Sequence, residues 1–370
     1  MVGVDHRSGA EDRPAEADLH RAPDPRVRAD RAALTEHPRR AELSADGTQY
    51  YDGPDWGWQD LWLTADQVFA FCTEDRGLPA TQVGLLAEGL LNQSWKIECS
   101  DHDRVLRVGR SERTPEQVAY ELPVVRAWAE AVPVVVAAEH QDVPVVDGRV
   151  LTLFPYVEGF SGLSMASPDR TRELIPVVAA MHRVSLGLDL AQRPGFTSID
   201  EQPRWPDWTV ARPAVIDRFG SGAEILGPVT VIDRAIEELD RQLDDWTRSG
   251  RLAARAPIHG DLNPRNQLYL EDSLVAIIDT DDLRVDPLVW EVANLAYTDL
   301  DVDPGRVWRD YLEAGGPLEA ADEDLLLPFA RLGVLGELRW LTDADGAAIH
   351  TADQTLFDLA AALTGRPTRD

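Results

Sequence analysis

His259-Gly260-Asp261-Leu262-Asn263-Pro264-Arg265-Asn266 is followed by two short apolar runs, Gln267 to Leu270 and Leu274 to Ile278, around the polar turn Glu271-Asp272-Ser273, and then by Asp279. Apolar runs of this length around a polar turn predict a β-hairpin. The hairpin returns the chain to where it started, so Asp279 comes back beside Asn266. The residue types then suit distinct tasks. A carboxylate at Asp261 can accept a proton from a hydroxyl. The amide oxygen of Asn266 and the carboxylate of Asp279 are hard oxygen donors of the kind a divalent cation prefers.

The offsets within this stretch are those of a kinase catalytic loop, H-x-D-x-x-x-x-N, with Asp261 as base and Asn266 and Asp279 turned toward magnesium. A zinc or two-metal hydrolase is the rival use of the same carboxylates. It would make His259 a ligand, yet no second histidine lies nearby, the nearest being His182 and His350. A Walker-type P-loop needs Gly-Lys-Ser/Thr, and the sole lysine, Lys96, stands in no such motif. Asp279 lacks a following Phe-Gly, and the short stretch before Trp290 leaves no room for an activation segment, which points away from a protein acceptor and toward a small one.

With Ile278-Asp279 and the segment Trp290-Glu291-Val292-Ala293-Asn294-Leu295, the loop resembles the aminoglycoside phosphotransferase family, a broad group that includes antibiotic, choline and homoserine kinases. The resemblance runs from about Leu61 to Leu363. It implies an α+β, bilobal protein-kinase-like fold, a small β-rich N-lobe and a mostly α-helical C-lobe, using ATP and Mg2+. It assigns Asp261 the catalytic base role and Asn266 with Asp279 the magnesium. Glu88 to Ser94 would cover the phosphates, with Gly89, Asn92 and Ser94 as binding residues. Arg107 takes the place where protein kinases keep a phosphate-binding lysine, with Glu121 as its helix partner, while Lys96 on the preceding strand faces solvent. Val150 to Gly159 resembles the hinge that reads adenine; Pro155 has no N–H, so Tyr156 or Val157 must donate. His182 matches a structural helix histidine. Trp205, Asp207, Trp208, Glu291, Asp299, Asp301, Glu337 and Trp340 are acceptor-site candidates, with Glu291, Trp205 and Trp208 foremost. An aminoglycoside or other antibiotic is the first acceptor expected; homoserine- or choline-type substrates, and a non-catalytic nucleotide-binding protein, are the alternatives.

Composition narrows the partners. A net charge of −29 over 370 residues repels phosphate backbones, so no nucleic-acid partner is expected and a cationic, hydroxyl-bearing small molecule is favoured. No apolar run is long enough to cross a membrane, and no basic segment leads into an apolar one, so a cytoplasmic protein is expected. Two cysteines, Cys72 and Cys99, make no disulfide framework.

Residues 1–48, charged and poor in large apolar side chains, read as a disordered tail; 49–157 and 158–364 are the expected lobes. Thr64 with Gln67, and Thr114 with Pro115 and Gln117, predict helix starts. The second helix carries Glu121, with Val118, Leu122, Val125 and Ala129 on one face, and Pro123 is expected to kink or split it. Strands are expected at Ser94 to Cys99, Arg104 to Val108, Val132 to Ala138, Val143 to Val146 and Val150 to Phe154. Ser167-Pro168 and Pro228 are expected to open further helices.

Overall fold

Thr64 and Thr114 each accept a hydrogen bond from the backbone of a glutamine three residues on, whose side chain accepts from the threonine N–H in return. Both helix starts therefore form as reciprocal capping boxes. In the computed structural model the contacts divide the chain into two units, residues 1–101 and 102–370. The structure describes residues 42–43, 49–53, 57–60, 62–86, 92–161, 170–198, 205–298, 303–342, 346–349 and 351–364.

In the first unit, β1 (Glu42–Leu43), β2 (Gln49–Gly53) and β3 (Gly57–Asp60) pair in order as antiparallel strands. Of the expected tail, Glu42–Leu43 is thus a strand, because β2 offers it a backbone edge that composition does not reveal; its other residues lie outside those described. α1 (Ala65–Ala70) runs into a π-helical turn, Phe71–Asp75, that buries Phe71 and Cys72. β4 (Ala80–Leu86) pairs antiparallel with β5 (Gln93–Cys99), setting Val83 opposite Ile97 and Leu85 opposite Trp95. All four are buried, as the period-two alternation demands.

The second unit begins with β6 (Arg104–Val108). β7 (Val145–Val146) and β8 (Arg149–Pro155) form a hairpin on Asp147-Gly148, whose φ values of 49° and 74° suit a primed turn. β8 then pairs antiparallel with β6, Arg107 opposite Thr152. Between them, α2 (Pro115–Ala131) buries Val118, Glu121, Leu122, Val125 and Trp128 and runs unbroken past Pro123. The expected split does not occur: packing of this face holds the helix through the one backbone bond the proline removes. The expected strand at Val132 to Ala138 is also absent. Pro133 supplies no donor, and the segment touches β12 (Ser273–Ile277) through a single bridge, Val135 to Ile277.

The rest is largely helical: α3 (Arg170–Leu186), α4 (Pro206–Phe219), α5 (Ala223–Ser249), α6 (Val289–Thr298), α7 (Pro304–Glu313), α8 (Leu326–Gly336) and α9 (Ala352–Thr364). Pro228 does not open α5; the helix starts at Ala223 and carries that proline inside. Ser167-Pro168 lies outside the described residues. One continuous core joins Trp128, Met181, Ile232, Leu243, Val292, Trp308, Phe329 and Leu356.

Two β pairings interrupt these helices. β11 (Gln267–Leu270) and β12 form the hairpin read from the sequence, turning at Glu271-Asp272, and β9 (Phe160–Ser161) adds to its edge. β10 (Arg255–Ile258) pairs with β13 (Arg284–Pro287), Ile258 opposite Arg284. Everything from His259 to Leu283 is therefore one excursion, clamped at its base by these two strands.

Candidate active site

Asn263 and Asn266 define the candidate catalytic loop from within. Asn263 accepts from the backbone N–H of Arg265 at 2.8 Å and so starts the 3-10 turn Pro264–Asn266, while its amide donates to Asp261 Oδ1 at 2.6 Å. Asn266 donates to the other carboxylate oxygen at 2.9 Å and to the Asp261 carbonyl at 2.8 Å. The Asp261 carboxylate is thus held by two amides. Because Asn266 spends its NH2 on Asp261, its amide oxygen is turned the other way, the orientation a hard cation requires.

The loop is stapled to the strand end that carries Asp279. Ile278 donates its N–H to the Asn266 carbonyl at 3.0 Å, and His259 Nε2 meets the Ile278 carbonyl at 3.1 Å. A carbonyl can only accept, so Nε2 carries the proton, and Nδ1 accepts from the Asp261 N–H at 3.4 Å. Both ring nitrogens of this buried histidine are engaged, which makes it a structural pin and leaves no lone pair for zinc. Gly260 adopts a φ of +82°, and a Cβ there would lie 2.4 Å from the Asp282 carbonyl oxygen. Only glycine fits that approach.

Asp279 itself sits at a φ of +65°. Burial pushes its carboxyl up, but Arg107 outweighs this, with Arg113 adding, and holds it below the ordinary carboxylate range. Arg107 Nη2 lies 2.5 Å from Asp279 Oδ1 and 3.1 Å from Asp281 Oδ2. The expected Arg107–Glu121 pair does not form. Glu121 is buried and accepts from Arg113 at 2.6 Å, Arg193 at 3.0 Å and the Thr280 hydroxyl at 2.6 Å. Arg113, just ahead of α2, also pairs with Asp281. Burial pulls the Arg113 guanidinium down to about 10 against the opposing pull of Glu121, so it stays charged at neutral pH. Arg113, Arg193 and Asn263 escaped the sequence reading. An Asn-Pro turn start was there to find at Asn263; the two arginines stand in no motif.

Glu291 is not available to a substrate. It is 3% exposed, accepts from the Gly260 N–H at 2.9 Å and meets His182 Nε2 at 3.0 Å, while His182 Nδ1 meets the Tyr311 hydroxyl at 2.8 Å. Burial pushes the Glu291 carboxyl up, but the hydrogen bonds to His182 and from the Gly260 N–H reverse this and hold it below its ordinary value. Tyr311 is pushed up by burial first and Glu291 second. Trp208 is buried, its Nε1 donating to Asp233 at 2.9 Å, and half-buried Trp205 donates to Asp240 at 2.8 Å. These two are framework residues of α4 and α5. Asp207 is exposed and Glu337 half-buried, while Asp299, Asp301 and the Trp340 side chain lie outside the described residues.

Of the nucleotide candidates, Gly89 lies outside the described residues. In the first unit Asn92 is buried and Ser94 is half-buried on β5, opposite Leu86. In the expected hinge, Tyr156 donates its N–H to the Asp103 carbonyl at 3.0 Å, which leaves Val157 as the candidate donor of the pair. Lys96 is half-exposed on β5 with Glu98 at 3.9 Å.

The family model described as "Phosphotransferase enzyme family" matches residues 82–327, well over half of the chain. No curated protein sequence matches. Among solved structures, the spectinomycin phosphotransferase APH(9)-Ia in complex with ADP and spectinomycin aligns with a TM-score of 0.54 at 11% identity, covering 82% of this chain and 99% of that one. A microcompartment-associated aminopropanol kinase aligns at 0.55 and 21%, covering 78% and 94%. The aminoglycoside phosphotransferase APH(4)-Ia aligns at 0.50 and 19%, covering 82% and 97%. At these identities the likeness is one of fold.

Proposed function

The chain belongs to the phosphotransferase enzyme family, and from that premise we propose that it uses MgATP to phosphorylate a hydroxyl of a small cationic molecule, an aminoglycoside or other antibiotic being the acceptor class to try first. The observation that carries the reading is the Asp261 carboxylate, gripped by the amides of Asn263 and Asn266 while the Asn266 amide oxygen is turned away from it. That arrangement suits a base on one side and a cation on the other. Asp261 accepts the acceptor's proton as the hydroxyl oxygen bonds to the γ-phosphorus and the bond to the β–γ bridging oxygen breaks, leaving ADP. Arg107 exchanges Asp279 and Asp281 for phosphate oxygens, which a guanidinium binds as readily as carboxylates. Asn266 and Asp279 would hold the magnesium ion, which when bound offsets charge on the β- and γ-phosphates. The excess of acid over base, at −29, supports a cationic acceptor by steering it inward.

Two substitutions separate base from metal ligand. Asp261→Asn keeps shape but cannot take a proton, so nucleotide binding should survive while turnover falls about 10²- to 10⁴-fold. Asp279→Asn should instead raise the magnesium requirement and weaken MgATP binding together with turnover. Calorimetric titration of MgATP beside a turnover assay distinguishes them; an Asp261→Asn variant with normal turnover and lost nucleotide affinity would sink the assignment. Mass spectrometry for phosphate gain over a panel of aminoglycosides, spectinomycin, homoserine, choline and aminopropanol then identifies the acceptor.

A further inference from the structure

The φ of Asp279, +65°, lies in the left-handed region, which a non-glycine residue adopts at an energetic cost that its surroundings must offset. After it the chain turns through Thr280, Asp281 and Asp282 to Leu283 before joining β13. Arg193, in the segment that follows α3, fills the inside of that turn with a fully buried side chain. Its Nη1 donates to the carbonyls of Asp281 at 2.7 Å, Leu283 at 2.9 Å and Thr280 at 3.4 Å. Its Nη2 donates to Glu121 Oε2 at 3.0 Å, and its guanidinium lies 4.7 Å from the centre of the Phe196 ring. Thr280 closes the arrangement by donating its hydroxyl to Glu121 Oε1 at 2.6 Å.

We propose that Arg193 is a positioning residue for the metal-facing carboxylate: it ties the backbone after Asp279 to Glu121 on α2 and so sets the direction in which Asp279 points. The inference rests on the assignment of Asp279 to magnesium made above. The role calls for arginine, because several donors in one fork must meet carbonyls and a carboxylate at once. A lysine ammonium is a single point with three donors and cannot span them. Arg193 hydrogen-bonds neither Arg107, Asp279 nor Asp261, so it acts through the turn and through Glu121.

The test is calorimetric titration of ADP, in EDTA and over a series of magnesium concentrations, on the wild type, Arg193→Lys and Glu121→Gln. Arg193→Lys should keep its metal-free ADP affinity and need about 10- to 100-fold more magnesium to gain the metal-dependent part, the scale seen when groups behind a metal ligand are lost. A merely structural residue would instead lower both affinities together. A folded Arg193→Lys variant with the wild-type magnesium midpoint overturns the proposal. Should that variant not fold, Glu121→Gln, which weakens the far end of the same tie, should show the same shift, and an unshifted midpoint there overturns it equally. If ADP binding by the wild type ignores magnesium, the Asp279 assignment fails, and this inference with it.

Discussion

Arg107 and Lys96 show how little a residue type says without its surroundings. Lys96 is the one lysine in the chain, yet it sits half-exposed on β5 with Glu98 at 3.9 Å. Arg107 is nearly buried between Asp279 and Asp281, at 2.5 and 3.1 Å, and under the proposed function a phosphate takes their place. Arg107→Ala should therefore raise the Michaelis constant for ATP about tenfold or more and lower turnover, because charge-assisted bonds to phosphate are lost. Lys96→Ala should change stability by less than about 0.5 kcal/mol and leave both constants alone. Steady-state kinetics on the two variants checks this, and the opposite ranking would show that the phosphate-binding cation has been placed on the wrong strand. Glu291 carries the converse lesson. The family resemblance made it a substrate candidate, and its geometry makes it the group that receives the Gly260 N–H.

At the scale of elements, two glycines in left-handed turns look alike in φ and differ in what surrounds them. Gly148, in the hairpin of β7 and β8, has a φ of +74° and nothing within 4 Å of the point where a Cβ would stand, whereas at Gly260 the same carbon would meet the Asp282 carbonyl at 2.4 Å. Gly148→Ala should thus cost about 1 kcal/mol, the strain of the backbone alone. Gly260→Ala must also push back the turn at Asp282. It should cost about 2–4 kcal/mol and reduce turnover further than stability alone accounts for, since Asp261 is the next residue. Urea midpoints and turnover for both variants make the comparison. Equal losses would mean that the close approach at Gly260 is relieved at no cost.

For the whole molecule, the buried carboxylates held below their ordinary range set the acid limit. Asp279 and Glu291 have folded values below their ordinary ones, so each adds stability that is fully present above the ordinary carboxylate range and is lost as pH falls through the folded value. Urea midpoints should be level from neutrality down to about pH 5 and drop progressively below it. Glu291→Gln should shrink that drop, and an identical acid profile in the variant would show that Glu291 does not contribute. Much of this protein was legible in its sequence because the signals are local: reciprocal capping at Thr64 and Thr114, the turn between β11 and β12, and the spacing from His259 to Asp279 are complete within a few neighbouring residues. That spacing, with Ile278-Asp279 and Trp290 to Leu295, carries the family resemblance, and the resemblance implied the α+β kinase-like architecture. Long-range choices were not legible. Whether Glu121 meets Arg107 or is shared by Arg113 and Arg193, whether Pro123 breaks α2, and whether Glu291 faces a substrate or the back of the catalytic loop all depend on which groups tertiary packing delivers to one buried point. There, charge, hydrogen bonding and exclusion of water act among residues far apart in the chain, and only the folded structure decides the pairs.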